Sequence, residues 1–218
     1  LLSASWAQAQ SAPPVKAPAS SIDPFEGFNR KIFIFNDGLD RAVIQPVART
    51  YKEYTPVIVR KGVSNFFGNL RDLWSGVNSL LQAKPGEALE NSGRFLVNTT
   101  VGIYGVFDVA THLGLQRHIE DLGQTLGRWG IGTGPYLVLP LLGPSTLRDA
   151  SGLLVDSQAS LINQVHPIAD RNALYAGRVV DLRAQLLNLT DQVDRMALDK
   201  YSFTRDAYLQ KRLNDVYD

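Results

Sequence analysis

No cysteine occurs among the 218 residues. Disulfides, thiolate nucleophiles and zinc–thiolate sites are therefore excluded, although this absence says little about compartment. Histidine is scarce as well. His112, His118 and His166 form no H-x-x-x-H or related ligand spacing, so a metal would need carboxylates folded in from elsewhere. The formal net charge is only +1, with no long basic run and no basic patch interleaved with aromatics, which leaves nucleic-acid binding without an electrostatic footprint. No uninterrupted apolar run reaches the roughly 20 residues of a spanning helix. With 44% hydrophobic and 20% charged residues, the chain is globular and long enough for one domain or two small ones.

Catalytic patterns are missing too. Gly130-Ile131-Gly132-Thr133-Gly134 has no Gly-Lys-Ser/Thr after it, so it is not a phosphate-binding P-loop. It also lacks the third glycine, the preceding strand and the acidic residue of a dinucleotide fingerprint. Ser145, Ser151 and Ser157 sit in no G-x-S-x-G elbow. Asp191 and Asp194 are spaced i, i+3 and could act as acid and base, but beside Arg195 they read more simply as a solvated helix face. Asn98-Thr99-Thr100 and Asn188-Leu189-Thr190 match the glycosylation sequon, a pattern that chance produces often. No catalytic residue, metal ligand or cofactor is assigned.

What the chain does have is helical spacing. Val63, Phe66, Phe67, Leu70, Trp74, Val77 and Leu81 recur at steps of three and four and make one stripe of a long helix. Lys84-Pro85-Gly86 ends that helix and opens another through Ala88, Leu89, Ser92, Phe95, Leu96 and Thr99. Val179, Leu182, Leu186, Leu189, Val193 and Met196 form a shorter seam, and the segment from Phe203 to Tyr217 reads as a last amphipathic helix. The expected fold class is all-α, with a single domain over residues 23–218. Before it, Ala7-Gln8-Ala9 fits a signal-peptidase site, so residues 1–9 read as the tail of an export signal. Residues 10–22, rich in Pro, Ala and Ser, read as a linker. Asp23-Pro24 suits a helix start, with Asp as cap and Pro in the first turn.

Two segments stand apart. Phe95–Phe107 carries no charge and contains Gly102 and Gly105; residues 129–147, nineteen in all, carry none either and contain Pro135, Pro140 and Pro144. In hydrocarbon an unpartnered backbone amide costs several kcal/mol, roughly, so a Pro-broken run cannot be a regular span. It can be a re-entrant hairpin or a wall bordering a cavity. Gly130, Gly132, Gly134, Pro135, Tyr136, Leu137, Leu139, Pro140, Leu141 and Leu142 are the candidates for that wall. Trp129 and Tyr136 suit a water–lipid boundary. Arg148 and Asp149 then fall at a polar rim, where Arg148 could grip a phosphate; alternatively, the two form an Arg–Asp pair capping the next helix.

Asp23-Pro24-Phe25-Glu26-Gly27-Phe28-Asn29-Arg30, with Phe33, Phe35-Asn36 and Asp40, closely resembles the opening motif of the MlaA/VacJ family. Gln45-Pro46-Val47-Ala48, Tyr51, Val63-Ser64-Asn65-Phe66 and Gly68-Asn69-Leu70 continue the likeness. So do Arg94 to Gly102, Phe107-Asp108-Val109-Ala110, the 129–149 stretch and Arg183-Ala184-Gln185-Leu186-Leu187. The resemblance runs in order from about residue 23 to 210. It implies a helical ring with a central amphipathic channel, lying in the inner leaflet of the Gram-negative outer membrane on its periplasmic side. It further implies a non-enzymatic transporter that takes stray phospholipids from the outer leaflet and passes them to a soluble periplasmic carrier, in association with trimeric porins. The alternative class is a scaffold that joins porins without moving lipid.

Aromatics at Phe28, Phe33, Phe35, Phe66 and Phe67 then suit an apolar exterior. Asn29, on an apolar face, needs a backbone partner and is expected to fix the first helix, with Phe28 and Arg30 in the same gating or structural motif. Family members typically carry a cysteine at the end of the signal peptide, where this sequence has A-x-A. Either ordinary signal peptidase processes it and its apolar rim and porin partners hold it, or its native start is missing.

Overall fold

The computed structural model describes residues 22–217. The export-signal reading and nearly all of the linker lie outside the described residues. From Glu26 onward the chain is built mainly of helices, as the apolar spacing requires. Helix α1 (Glu26–Leu39) runs through a π-helical turn, Asp40–Ile44, into α2 (Gln45–Tyr54). The wide turn has a local cause: Gln45 N–H reaches back to Asp40 just before Pro46, which can donate no ladder bond of its own. Pro56 forces Thr55 into extended backbone and ends α2. Helix α3 (Val57–Leu81) and α4 (Pro85–Thr100) form a hairpin turned by Ala83 at φ 60°, with Pro85 in the first turn of α4. The short α5 (Val109–His112) and α6 (Leu122–Arg128) are capped by Asp108 and Asp121, whose side chains accept the Thr111 and Gln124 amides. Helices α7 (Leu147–Ala159), α8 (Ile168–Met196) and α9 (Lys200–Tyr217) complete the fold.

The all-α fold class holds, with one refinement and one correction. Between α6 and α7 the chain makes a small antiparallel hairpin, β1 (Tyr136–Leu139) and β2 (Gly143–Thr146), in register Tyr136↔Thr146 and Leu139↔Gly143. Glycines and prolines forbid a helix here, and four residues of alternation are too few to announce a strand. Secondly, Asp23 does not cap α1. Phe25 holds the N-cap position without a side-chain bond, and Asp23 is instead buried and bonded to side chains farther along the chain.

Among the described residues, buried apolar side chains gather in small clusters. Ala48 of α2 meets Ala184 and Leu187 of α8, with Tyr51 alongside. Tyr136 and Val138 of β1 meet Tyr201 of α9, flanked by Ile32, Phe33, Tyr208 and Leu209.

Candidate functional site

Much of the interior is polar. On α3 the buried side is Gly62, Gly68, Asn69, Asp72, Ser75, Gly76, Asn78 and Ser79, while Val77, Leu80 and Leu81 are exposed. On α4 the buried positions are Ala88, Asn91, Arg94 and Asn98. The α4 set recurs every three or four residues, as do Asn69, Asp72, Ser75 and Ser79 of α3, and side chains from both helices hold the irregular chain between α4 and α6. Arg94, 1% exposed, grips both Asp108 oxygens at 2.8 Å and donates to Leu115 O and Thr111 Oγ1. Asn98 bonds Asp108 and the Ala110 amide, Asn91 brackets the His118 backbone, and Arg117 forms a bidentate pair with Asp72. Gln82 and Lys84 reach Glu120, and Asn78 accepts from Thr125. Burial raises the Asp108 carboxyl, but hydrogen bonds from Thr111, Arg94 and Asn98 outweigh it and bring it down to about 2.

The outer surface is the reverse. Phe28, Ile34, Phe35, Ile58, Leu80, Leu96, Tyr104, Leu141, Leu142 and Leu154 are among the large apolar side chains left exposed. A monomer in water rarely shows apolar surface on this scale. No helix among the described residues is long and apolar enough to cross a membrane.

Between the first half of α3 and residues 101–112 lies an apolar cavity of about 1000 Å³. Its lining includes Ile58, Val59, Val63, Phe66, Phe67, Val101, Val106, Phe107, Val109 and Leu174, with Lys61, Asn65, Asp108 and His112 as its polar members. The 101–107 loop that forms one wall is tightly wound. Ile103, Tyr104 and Gly105 are consecutive left-handed residues, at φ 53°, 54° and 87°, and a Cβ on Gly105 would lie 2.6 Å from the Asn69 Cβ. The uncharged 95–107 segment thus supplies a cavity wall.

The other uncharged segment lies elsewhere. None of Gly130, Gly132, Gly134, Pro135, Tyr136, Leu137, Leu139, Pro140, Leu141 or Leu142 lines this cavity. Tyr136 to Leu142 belong to the β-hairpin, and Pro135 immediately precedes it. The free edge of β1 is held by α1. Asn29, fully buried, donates to Tyr136 O at 3.0 Å and accepts from Val138 N at 2.9 Å. One heptad along, Asn36 donates to Leu139 O and accepts from Leu141 N. Two amides on one helix face thus take the place of a third strand and satisfy a strand edge that is otherwise unpaired.

Asn29 also donates to Asp23, whose second oxygen receives a short hydrogen bond from the Tyr201 hydroxyl. Arg30 spans Glu26 and Asp199 and stacks over Tyr201 at 4.3 Å, while neighbouring Phe28 is exposed. At the hairpin tip Leu141 and Leu142 are exposed, with Leu141 at φ 66°.

Arg148 and Asp149, the candidate rim residues, lie on the first turn of α7. Both are buried, and they satisfy each other: Arg148 Nε and Nη2 hold Asp149, which also accepts from Arg212 and from the Tyr208 hydroxyl. Thr146 caps α7 by accepting the Asp149 amide. Burial raises the Asp149 carboxyl, but the hydrogen bonds and charge of Arg212, the Tyr208 hydroxyl and the Arg148 charge together outweigh it, leaving it below the ordinary carboxylate value. The alternative of an Arg–Asp pair at a helix start is the one this geometry supports.

The remaining candidates for chemistry each have a partner within the fold. Ser145, Ser151 and Ser157 each donate to a nearby backbone carbonyl. Asp191 pairs with Arg49 and Asp194 with Lys200. No group of metal-ligating side chains occurs among the described residues.

An interior of bonded polar residues, an apolar exterior and a wide apolar cavity can be compared with known proteins. The sequence model of the MlaA lipoprotein family matches residues 21–215. The chain belongs to that family. The intermembrane phospholipid transport system lipoproteins MlaA of Escherichia coli K12 and Shigella flexneri are each 38% identical over 194 residues, covering 87% of this chain and 76% of theirs. An uncharacterized protein of Rickettsia bellii is 37% identical over 192 residues, covering 87% of this chain and 75% of its own. A chain solved in a study of the structural basis for maintenance of bacterial outer membrane lipid asymmetry superposes with a TM-score of 0.79 at 35% identity. The match covers 89% of this chain and 98% of that one. In this member of the MlaA family, the Asn-clamped hairpin and the α3–α4 polar ladder frame the fold, and the cavity lies beside the ladder.

Proposed function

We propose that this protein moves phospholipid, without catalysis, through the cavity between α3 and residues 101–112. Its apolar exterior seats it in the inner leaflet of the outer membrane, exposed to the periplasm. Phospholipid that has strayed into the outer leaflet enters, and a soluble periplasmic carrier receives it. Trimeric porins are the partners that fit the exposed apolar flank. The observation that carries the reading is the inversion of polarity beside a lipid-sized apolar cavity: acyl chains find Val63, Phe66, Val106 and Phe107, while the polar ladder is buried beside them. The apolar lining keeps the acyl chains out of water during the transfer, which would otherwise cost roughly 25 cal/mol per Å² of exposed apolar surface, and this needs no reactive group.

Filling the cavity tests this. Val63→Trp adds apolar bulk to a space that has room for it, so the fold is kept and the passage is narrowed. In a strain lacking the native gene, wild type lowers outer-leaflet phospholipid and restores detergent resistance, and Val63→Trp does so poorly. Equal rescue by both, with no lipid copurifying, would instead support a porin-binding scaffold.

A further inference from the structure

Beside the apolar cavity lies a second, polar one of about 190 Å³, and the two share Asn65 and Phe67 as a common wall. Three arginines line it: Arg71, Arg117 and Arg178. Arg117 is committed to Asp72 through Nε and Nη2, at 2.8 and 2.9 Å. Arg71 and Arg178 are not committed, because among the described residues neither has a carboxylate within ion-pair distance. Arg71 Nε is buried with no hydrogen-bond partner. Burial and then the neighbouring Arg178 pull the Arg71 guanidinium below its ordinary value. The anion in the lining, Asp181, is already held by Ser64, Gln185 and Tyr51. Asp72, which also acts on Arg71, is taken up by Arg117 and Arg94. Two guanidiniums therefore face one polar space outside any ion pair, and Asp181, whose hydrogen-bond donors are all neutral, offsets at most one of their charges. A pair of this kind matches a phosphodiester, whose oxygens accept bidentate N–H bonds and whose charge removes the repulsion.

We infer that the Arg71–Arg178 cavity is a phosphate subsite, holding the phosphodiester of a glycerophospholipid whose acyl chains occupy the adjoining apolar cavity. The inference rests on the proposed lipid passage and adds the headgroup position. Phe67 lies one turn before Arg71 on α3, Asn65 precedes it on the same helix, and both line the two cavities. The phosphate thus sits at the polar end of the acyl lane.

The test uses the full chain in detergent micelles and two probes with the same fluorescent acyl chain, phosphatidylglycerol and diacylglycerol. Wild type is expected to bind phosphatidylglycerol about tenfold more tightly than diacylglycerol, the size of effect that one charge-assisted phosphate contact supplies. Arg71→Gln/Arg178→Gln should remove that preference, leave diacylglycerol binding unchanged and not lower the melting temperature, because two repelling charges are gone. An unchanged preference in the double variant overturns the subsite, as does a fall in melting temperature, which makes the arginines structural. Displacement by millimolar inorganic phosphate, with the preference lost, assigns the site to free phosphate and overturns the lipid source. The passage itself is read separately: Val63→Trp should weaken both probes, whatever the arginines do.

Discussion

Replacing Asn29 by alanine removes the inner of the two amide clamps on the hairpin. The side chain is fully buried and makes three hydrogen bonds, to Asp23, Tyr136 O and Val138 N. Asp23 keeps the Tyr201 hydroxyl, so its loss is partial. The Val138 amide and Tyr136 carbonyl are left without these partners, at about 1–3 kcal/mol for each buried orphan. The expected destabilisation is therefore about 3–5 kcal/mol. Asn36→Ala cuts the matching pair of bonds, but at a site reached by solvent, where water replaces them, and should cost only about 0.5–1.5 kcal/mol. Urea unfolding of both variants in the same micelles measures the difference, and hydrogen exchange at Val138 and Leu141 locates it. Equal destabilisation by the two substitutions would refute the claim that burial, not bond number, sets the strength of the clamp.

Asp149→Asn should cost about 2–4 kcal/mol in the same unfolding assay, because Arg148 loses its carboxylate in a buried site while Arg212 keeps Asp121. Gly105→Ala should cost about 2–4 kcal/mol, since it adds left-handed strain to a contact with Asn69; Gly114→Ala, at φ 85° with open space, should cost about 1 kcal/mol. Asp108 has a folded-state value of about 2, below its unfolded value. Its stabilisation is thus fully present above about pH 4 and fades as pH falls towards 2. With the side chain partly solvated, about 1–2 kcal/mol is expected, and Asp108→Asn should flatten the stability curve across that window.

The helices are legible because their apolar residues repeat every three or four positions, and the Pro-Gly break after Leu81 falls where the chain turns. What spacing does not tell is which stripe faces inward. In α3 it is the polar one, Asn69, Asp72, Ser75 and Ser79, whose own helical period is equally present in the sequence. The family motif identifies Asn29, yet its partner 107 residues away in β1 is a tertiary fact. In the sequence Arg148 reads equally as a rim residue and as half of an Arg–Asp pair, and the convergence of Asp149 and Arg212 on folding supports the pair. Of the two uncharged segments, 95–107 lines the cavity and 129–147 does not, since a run of glycine and uncharged residues records flexibility and apolarity but not location.

The central claim is that phospholipid occupies the cavity beside α3. It is tested most directly by copurifying the protein with a phospholipid photoreactive at its acyl chain, removing outer lipid with detergent, and mapping the crosslinks. The account predicts labels on Val63, Phe66, Val106, Phe107 and Leu174. Labels confined to outward residues such as Leu80 and Leu154, with none in the cavity, would contradict it.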